Sequence, residues 1–159
     1  MASNARDAEL LDDGPVISID RLRNELEADG SLDDQRSAQV LHSVLESLFP
    51  GEAFRFDEEM VKGSLDELLL LLVGLREDGT HGKGLMDDLS TLFDAQLSPG
   101  TVYPRLHELE EEDLLEMHEL VRTKEYHVDD REAAREEIAA AMRQHLAIGL
   151  FLQTALDEF

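Results

Sequence analysis

LSPGTVYPRLHELEEEDLL, Leu97 to Leu115, reads as a helix with one polarised end and one buried face. Ser98 is suited to an N-cap and Pro99 to the first helical position, so the opening amides are left free and the helix start carries partial positive charge. Such an end is a ready phosphate contact. Val102, Leu106 and Leu109 recur at i, i+4 and i+7 and turn inward, whereas Thr101, Pro104, His107, Glu108 and Glu111 look outward and Arg105 sits at the boundary. Pro104 removes the amide that would bond the Gly100 carbonyl and crowds that residue, which predicts an opened or bent first turn. Glycine at position 100 tolerates that distortion.

These residues resemble the DNA-binding core of the PadR-like winged-helix transcription regulators. The resemblance is carried by His81-Gly82, a following helix, the run Ser98-Pro99-Gly100-Thr101-Val102-Tyr103-Pro104, and then Leu109-Glu110-Glu111 and Leu114-Leu115. Three features depart from the family pattern. Lys83 follows Gly82 where an aromatic is usual, Asp113 stands where glycine is frequent, and Val121-Arg122-Thr123-Lys124 is a short wing tip. The resemblance covers roughly the middle half of the chain and leaves the N-terminal third outside. It implies a winged helix-turn-helix with a short two-stranded wing; with the extra N-terminal helices and the long C-terminal dimerisation helix read from residue spacing below, the expected fold is mainly α.

Composition complicates that reading. The chain has 159 residues, a formal net charge of -23 and three lysines against eleven arginines. Nucleic-acid binders ordinarily show a basic face, because phosphate neutralisation supplies most non-specific affinity. Acid excess with few lysines resembles the proteins of salt-in halophilic archaea, where roughly 1 M salt cuts the screening length to about 3 Å and only close contacts count. Charge by itself favours an acidic protein that never touches DNA; the Ser-Pro-Gly-Thr-Val-Tyr-Pro run outweighs it. Cysteine is absent, which excludes disulfides, thiolate metal sites and direct thiol-based redox sensing. The Leu146 to Leu152 apolar run stops after seven residues, too short for a membrane span, and the acidic N-terminus lacks a secretory pattern, so a cytoplasmic protein is expected.

Along the chain, residues 1–15 read as a disordered acidic arm and 16–62 as a helical extension. In the extension, Ile19, Leu22 and Leu26 mark one short helix and Leu41, Val44, Leu45 and Leu48 a second, ended by Phe49-Pro50-Gly51, with Phe54 and Phe56 pinning the connector. Residues 63–129 read as the winged domain. Ser64-Leu65-Asp66-Glu67 has the form of a capping box, Leu65 to Leu75 is apolar nearly all round, and Thr80 is suited to cap a helix burying Leu85, Leu89, Leu92 and Phe93. Leu115–Leu120 and Lys124–Val128 are strand-like. Residues 130–159 form the last helix, capped by Asp129 or Asp130, with Ile138, Met142, Leu146, Gly149, Leu150, Leu152 and Leu156 as a packing seam; homodimerisation covers it most economically, packing on the N-terminal helices being the alternative.

For DNA, Lys83, Ser98, Gly100, Arg122 and Lys124 are the expected phosphate contacts, while Thr101, Tyr103 and Arg105 are candidates for base edges or nearby backbone. Gly82-Lys83-Gly84 lacks the remaining residues of a P-loop. A two-residue turn at Arg122-Thr123 would set His118 opposite His127, close enough to share a metal, whereas a three-residue loop would pair Leu120 with Tyr126; no metal or cofactor is assigned. No nucleophile elbow, zinc-protease motif or dinucleotide fingerprint is present, and the chain reads as a non-enzyme. The expected function is sequence-specific regulation of transcription by a homodimer on near-palindromic double-stranded DNA, with no membrane partner and no legible small-molecule site. Acidity, the N-terminal extension and the short wing resemble the haloarchaeal branch and its oxidative-stress regulators, which implies a stress response. The alternative is an acidic winged-helix module that binds protein partners and no DNA.

Overall fold

A computed structural model describes residues 34–76 and 78–159; the expectations for the acidic arm and for the first short helix lie outside them. The elements run α1 (Asp34–Leu48), α2 (Glu58–Gly63), α3 (Leu65–Gly74), β1 (Thr80–His81), α4 (Gly82–Phe93), α5 (Pro99–Glu111), β2 (Leu115–Glu119), β3 (Lys124–Val128) and α6 (Arg131–Leu156). The described residues are mainly helical with a small antiparallel sheet, the expected winged helix-turn-helix class.

Three helices build the core because each presents a leucine-rich face to the same space. Leu69 of α3, Leu85 and Leu89 of α4, and Val102 and Leu106 of α5 are completely buried. At such density, loss of one of these side chains costs about 2–5 kcal/mol. The half-buried Arg76 clamps the end of α3 to α4, its Nη2 donating to both carboxylate oxygens of Asp88 at 2.7 and 2.8 Å. The α1 stripe of Leu41, Val44, Leu45 and Leu48 is half-buried, and α1 lies against α4. The connector is fastened as its aromatics suggested: Phe49, Phe54, Phe56 and Phe93 form a continuous chain of rings with successive centroids 4.5, 5.0 and 5.0 Å apart.

The sheet has the order β1-β3-β2, so a third strand joins the expected two-stranded wing. Thr80 pairs with Tyr126 and is buried in β1, and His81 takes the N-cap position of α4 that Thr80 was expected to fill. Leu115 pairs with Val128 and His118 with Glu125. The hairpin closes through the Leu120 amide bonding the Thr123 carbonyl at 2.7 Å, which makes Val121-Arg122 the turn. The two-residue length matches the first reading, but the turn lies one residue earlier than Arg122-Thr123, so His118 faces Glu125 with His127 diagonal to it, and Leu120 faces Thr123 and not Tyr126. Neither turn residue has positive φ, so this is not one of the primed turns that favour glycine or asparagine.

Three local readings are likewise corrected. Ser64 makes no side-chain cap bond; α2 runs directly into α3 there, and Ser64 Oγ and Glu67 Oε1 both pair with His145 Nε2 of α6, at 3.3 and 3.0 Å. Helix α5 is unbroken across Pro104, and its first turn is tight rather than open, the Thr101 and Val102 amides both bonding the Ser98 carbonyl. Asp113 has φ +59, with its amide bonded to Glu110 and the next amide to Leu109. That is the left-handed helix ending for which glycine is the easiest residue.

Candidate nucleic-acid interface

The end of α5 that matters is its first turn. Ser98 occupies the N-cap position with extended backbone, yet its hydroxyl makes no bond to the helix amides and pairs with Thr101 Oγ1 at 3.2 Å. Ser98, Pro99 and Gly100 are exposed and Thr101 is half-buried, so the positive pole of the helix faces outward without a carboxylate cap. One turn on, the half-exposed Tyr103 lies across Gly82 at the start of α4. A Cβ at position 82 would come within 2.5 Å of the ring, so any larger residue there requires the Tyr103 side chain to move.

Beside Tyr103 lies a groove of about 500 Å³ between the start of α4 and the tip of the hairpin. Lys83, Arg122 and Lys124 line it, with Tyr103 on one wall and Glu119 on the rim. Lys83, Arg122 and Lys124 are all exposed. Four residues singled out from three separate stretches of sequence thus converge on one concave surface. Leu120 and Val121, which sequence reasoning did not select, also line it, and Val121 is fully exposed at the tip.

Arg105 is arranged differently. Its Nε lies 3.0 Å from Asp66 Oδ1 of α3, and its Nη1 donates to Glu108 Oε2 at 3.1 Å. The Asp66 oxygen is buried and the guanidinium approaches it out of line, so this is an ion contact and Oδ1 has no hydrogen-bond partner. Burial pushes the Asp66 carboxyl above the ordinary range, against the lowering effect of Arg105. Of the residues expected to read bases, Arg105 is the one held in ion pairs by its own chain. Nothing in the sequence around Asp66 signals this contact, which joins residues 39 positions apart.

The expected seam on α6 divides in two. Ile138 packs against the core and Leu146 is half-buried, whereas Met142, Gly149, Leu150, Leu152 and Leu156 are exposed, together with Ile148, Phe151 and Phe159. Gly149 has open space around it. Among the described residues, no helix is long and apolar enough to cross a membrane.

Comparison with known proteins agrees with this architecture. The transcriptional activator GvpE of Haloferax mediterranei is 40% identical over 100 residues, covering 63% of this chain and 52% of the relative. GvpE1 of Halobacterium salinarum, also a transcriptional activator, is 42% identical over 101 residues, covering 64% and 52%. The chain thus spans about half the length of these relatives, which are named as transcriptional activators. Among solved structures, a PadR-like transcriptional regulator from Bacillus cereus superposes with a TM-score of 0.51 at 21% identity, covering 62% of this chain and 96% of that one; the likeness is one of fold. From the second half of α3 to the start of α6, residues 70–136 match the transcriptional regulator PadR-like family.

Proposed function

We propose that this protein is a sequence-specific DNA-binding transcription regulator that acts as a homodimer on a near-palindromic site in molar salt. The observation that carries the proposal is the convergence of Lys83, Tyr103, Arg122 and Lys124 on one groove beside the exposed first turn of α5. Lys83, Arg122 and Lys124 grip phosphates from both sides of that turn, with Ser98 and the Gly100 backbone adding contacts at the helix start. Thr101 and Tyr103 reach base edges or the adjoining sugar-phosphate. Arg105 joins them by exchanging Asp66 for DNA, in which case Arg105→Ala weakens specific binding by ~1 to 3 kcal/mol. The acidic second half of α5, Glu108 and Glu110 to Glu112, keeps all but its first turns out of the groove.

Pairing through the uncovered half of α6 supplies the second recognition helix, about one helical turn of DNA away. An exposed apolar surface on this scale marks an interaction site. Residues 63–129 then act as the DNA-binding unit and 130–159 as the dimerisation element, in a cytoplasmic protein of a halophilic archaeon. The matched relatives are named as transcriptional activators, so activation is the sense of regulation we favour. The stress response rests on the sequence resemblance and gains nothing from these relatives.

Binding to a library of genomic fragments in 2 M KCl tests the proposal. Recovery of a shared, near-palindromic motif is expected. Absence of binding to any fragment between about 0.1 and 3 M salt would replace it with the acidic protein-interaction module, a reading that the Asp66 and Glu108 contacts of Arg105 favour.

A further inference from the structure

On the outer face of the wing, two imidazoles and two carboxylates face one another, and none has a part in the groove. Because residues paired across antiparallel strands share a face, the register His118↔Glu125 and Glu116↔His127 puts all four on one side of the sheet. Leu115, Met117, Tyr126 and Val128 occupy the other side, against the core. The two histidine rings are 4.9 Å apart and tilted by 35°. His118 Nε2 lies 2.9 Å from Glu116 Oε1, and His127 Nε2 lies 2.6 Å from Glu125 Oε1. One ring nitrogen from each histidine and one oxygen of Glu125 fall within 4.8 Å of one another.

We infer that His118, His127 and Glu125 form a binding site for a divalent transition-metal ion of the Zn²⁺ class, with Glu116 or water as the fourth ligand. Two imidazoles and a carboxylate suit Zn²⁺ and its neighbours and discriminate against K⁺, Mg²⁺ and Ca²⁺, which take oxygen ligands. Around a tetrahedral ion with bonds of about 2.0–2.1 Å, neighbouring donor atoms stand roughly 3.3 Å apart. Side-chain rotations that bring the widest separation in by up to about 1.5 Å, and let the 2.6 Å His127–Glu125 contact open to the same spacing, therefore complete the site. Packing already fixes one ligand. The His127 ring lies over Gly79, where a Cβ would meet it at 2.5 Å, and Gly79 has φ +77, so both the space and the backbone there favour glycine. Glu125 and His127 are about three-quarters covered and His118 about half, which leaves one open side for the ion to enter. Bound metal would tie β2 to β3 two residue pairs below the turn.

Calorimetric titration of the full chain with ZnCl₂ in 2 M KCl tests this, the salt suppressing loose association with the many surface carboxylates. One saturable equivalent per chain is expected, with the His118 and His127 ring resonances shifting before those of the other histidines. His118→Gln, at the more exposed position, should weaken that equivalent at least tenfold while leaving the metal-free melting temperature unchanged; adding His127→Gln should abolish it. Affinity should fall with pH as protons compete for the imidazoles. Absence of a saturable equivalent, its survival in the double variant, or unmoved His118 and His127 resonances at one equivalent would overturn the assignment.

Discussion

Arg105 Nε lies 3.0 Å from Asp66 Oδ1, across the junction of α5 and α3, and this contact sets the resting state of the one arginine on α5. The carboxylate is held by charge without a hydrogen bond to that oxygen, and burial works against its ionisation.

Asp66→Asn should therefore raise stability at neutral pH. A carboxyl whose folded pKa lies above its unfolded value favours folding most when protonated, and loses that advantage as pH rises through the folded value. The gain from the amide should be full above that range and vanish below the ordinary aspartate pKa of about 3.9, where the wild-type carboxyl is also neutral. Urea denaturation at a series of pH values measures it. The same substitution releases Arg105 and should strengthen DNA binding; unchanged affinity would remove Arg105 from the contact set.

Asp113→Gly should stabilise the chain by about 0.5–1 kcal/mol, since a non-glycine residue at φ +59 carries a conformational cost and a negative charge opposes the helix C-terminus. The gain is partly offset by glycine's extra freedom in the unfolded chain. The shift in denaturation midpoint reports the balance.

At Gly82 the reverse holds. Gly82→Ala forces the Tyr103 ring away from α4, at a cost of about 1–3 kcal/mol if the neighbours cannot adjust. Tyr103→Ala in the same background should recover part of that loss, which a double-mutant cycle detects.

Helix α6 carries the assembly prediction. Leu152→Glu with Leu156→Glu, both exposed in the single chain, should convert a dimer into a folded monomer in molar KCl. Sedimentation equilibrium with circular dichroism separates loss of pairing from loss of fold.

Much of this molecule is legible from periodicity. The leucine spacings of α3, α4 and α5 named the core, because burial of one helix face depends mainly on local sequence. The strand pairing β2 with β3 was equally plain. The cap chemistry was less so: the hydroxyls of Ser64 and Ser98 had the right position, but His145 and Thr101 are their partners. Hairpin register escaped because Val121-Arg122 carries no turn residue, and a shift of the turn by one residue decides whether His118 faces His127 or Glu125. The groove residues were found one by one, whereas Asp66 as partner of Arg105, and Gly82 as the seat of Tyr103, depend on how helices cross and leave no local signal.

The central claim is that Lys83, Arg122 and Lys124 of this strongly acidic protein grip the DNA backbone. The direct measurement is DNA affinity as a function of KCl concentration for the wild type and for the variant with all three changed to alanine. The account predicts uniformly weaker binding across sequences and a log–log salt slope shallower by about 1 for each cation removed, or about 6 for the homodimer with three lost from each subunit. Equal affinity and an equal slope for the two proteins would contradict it.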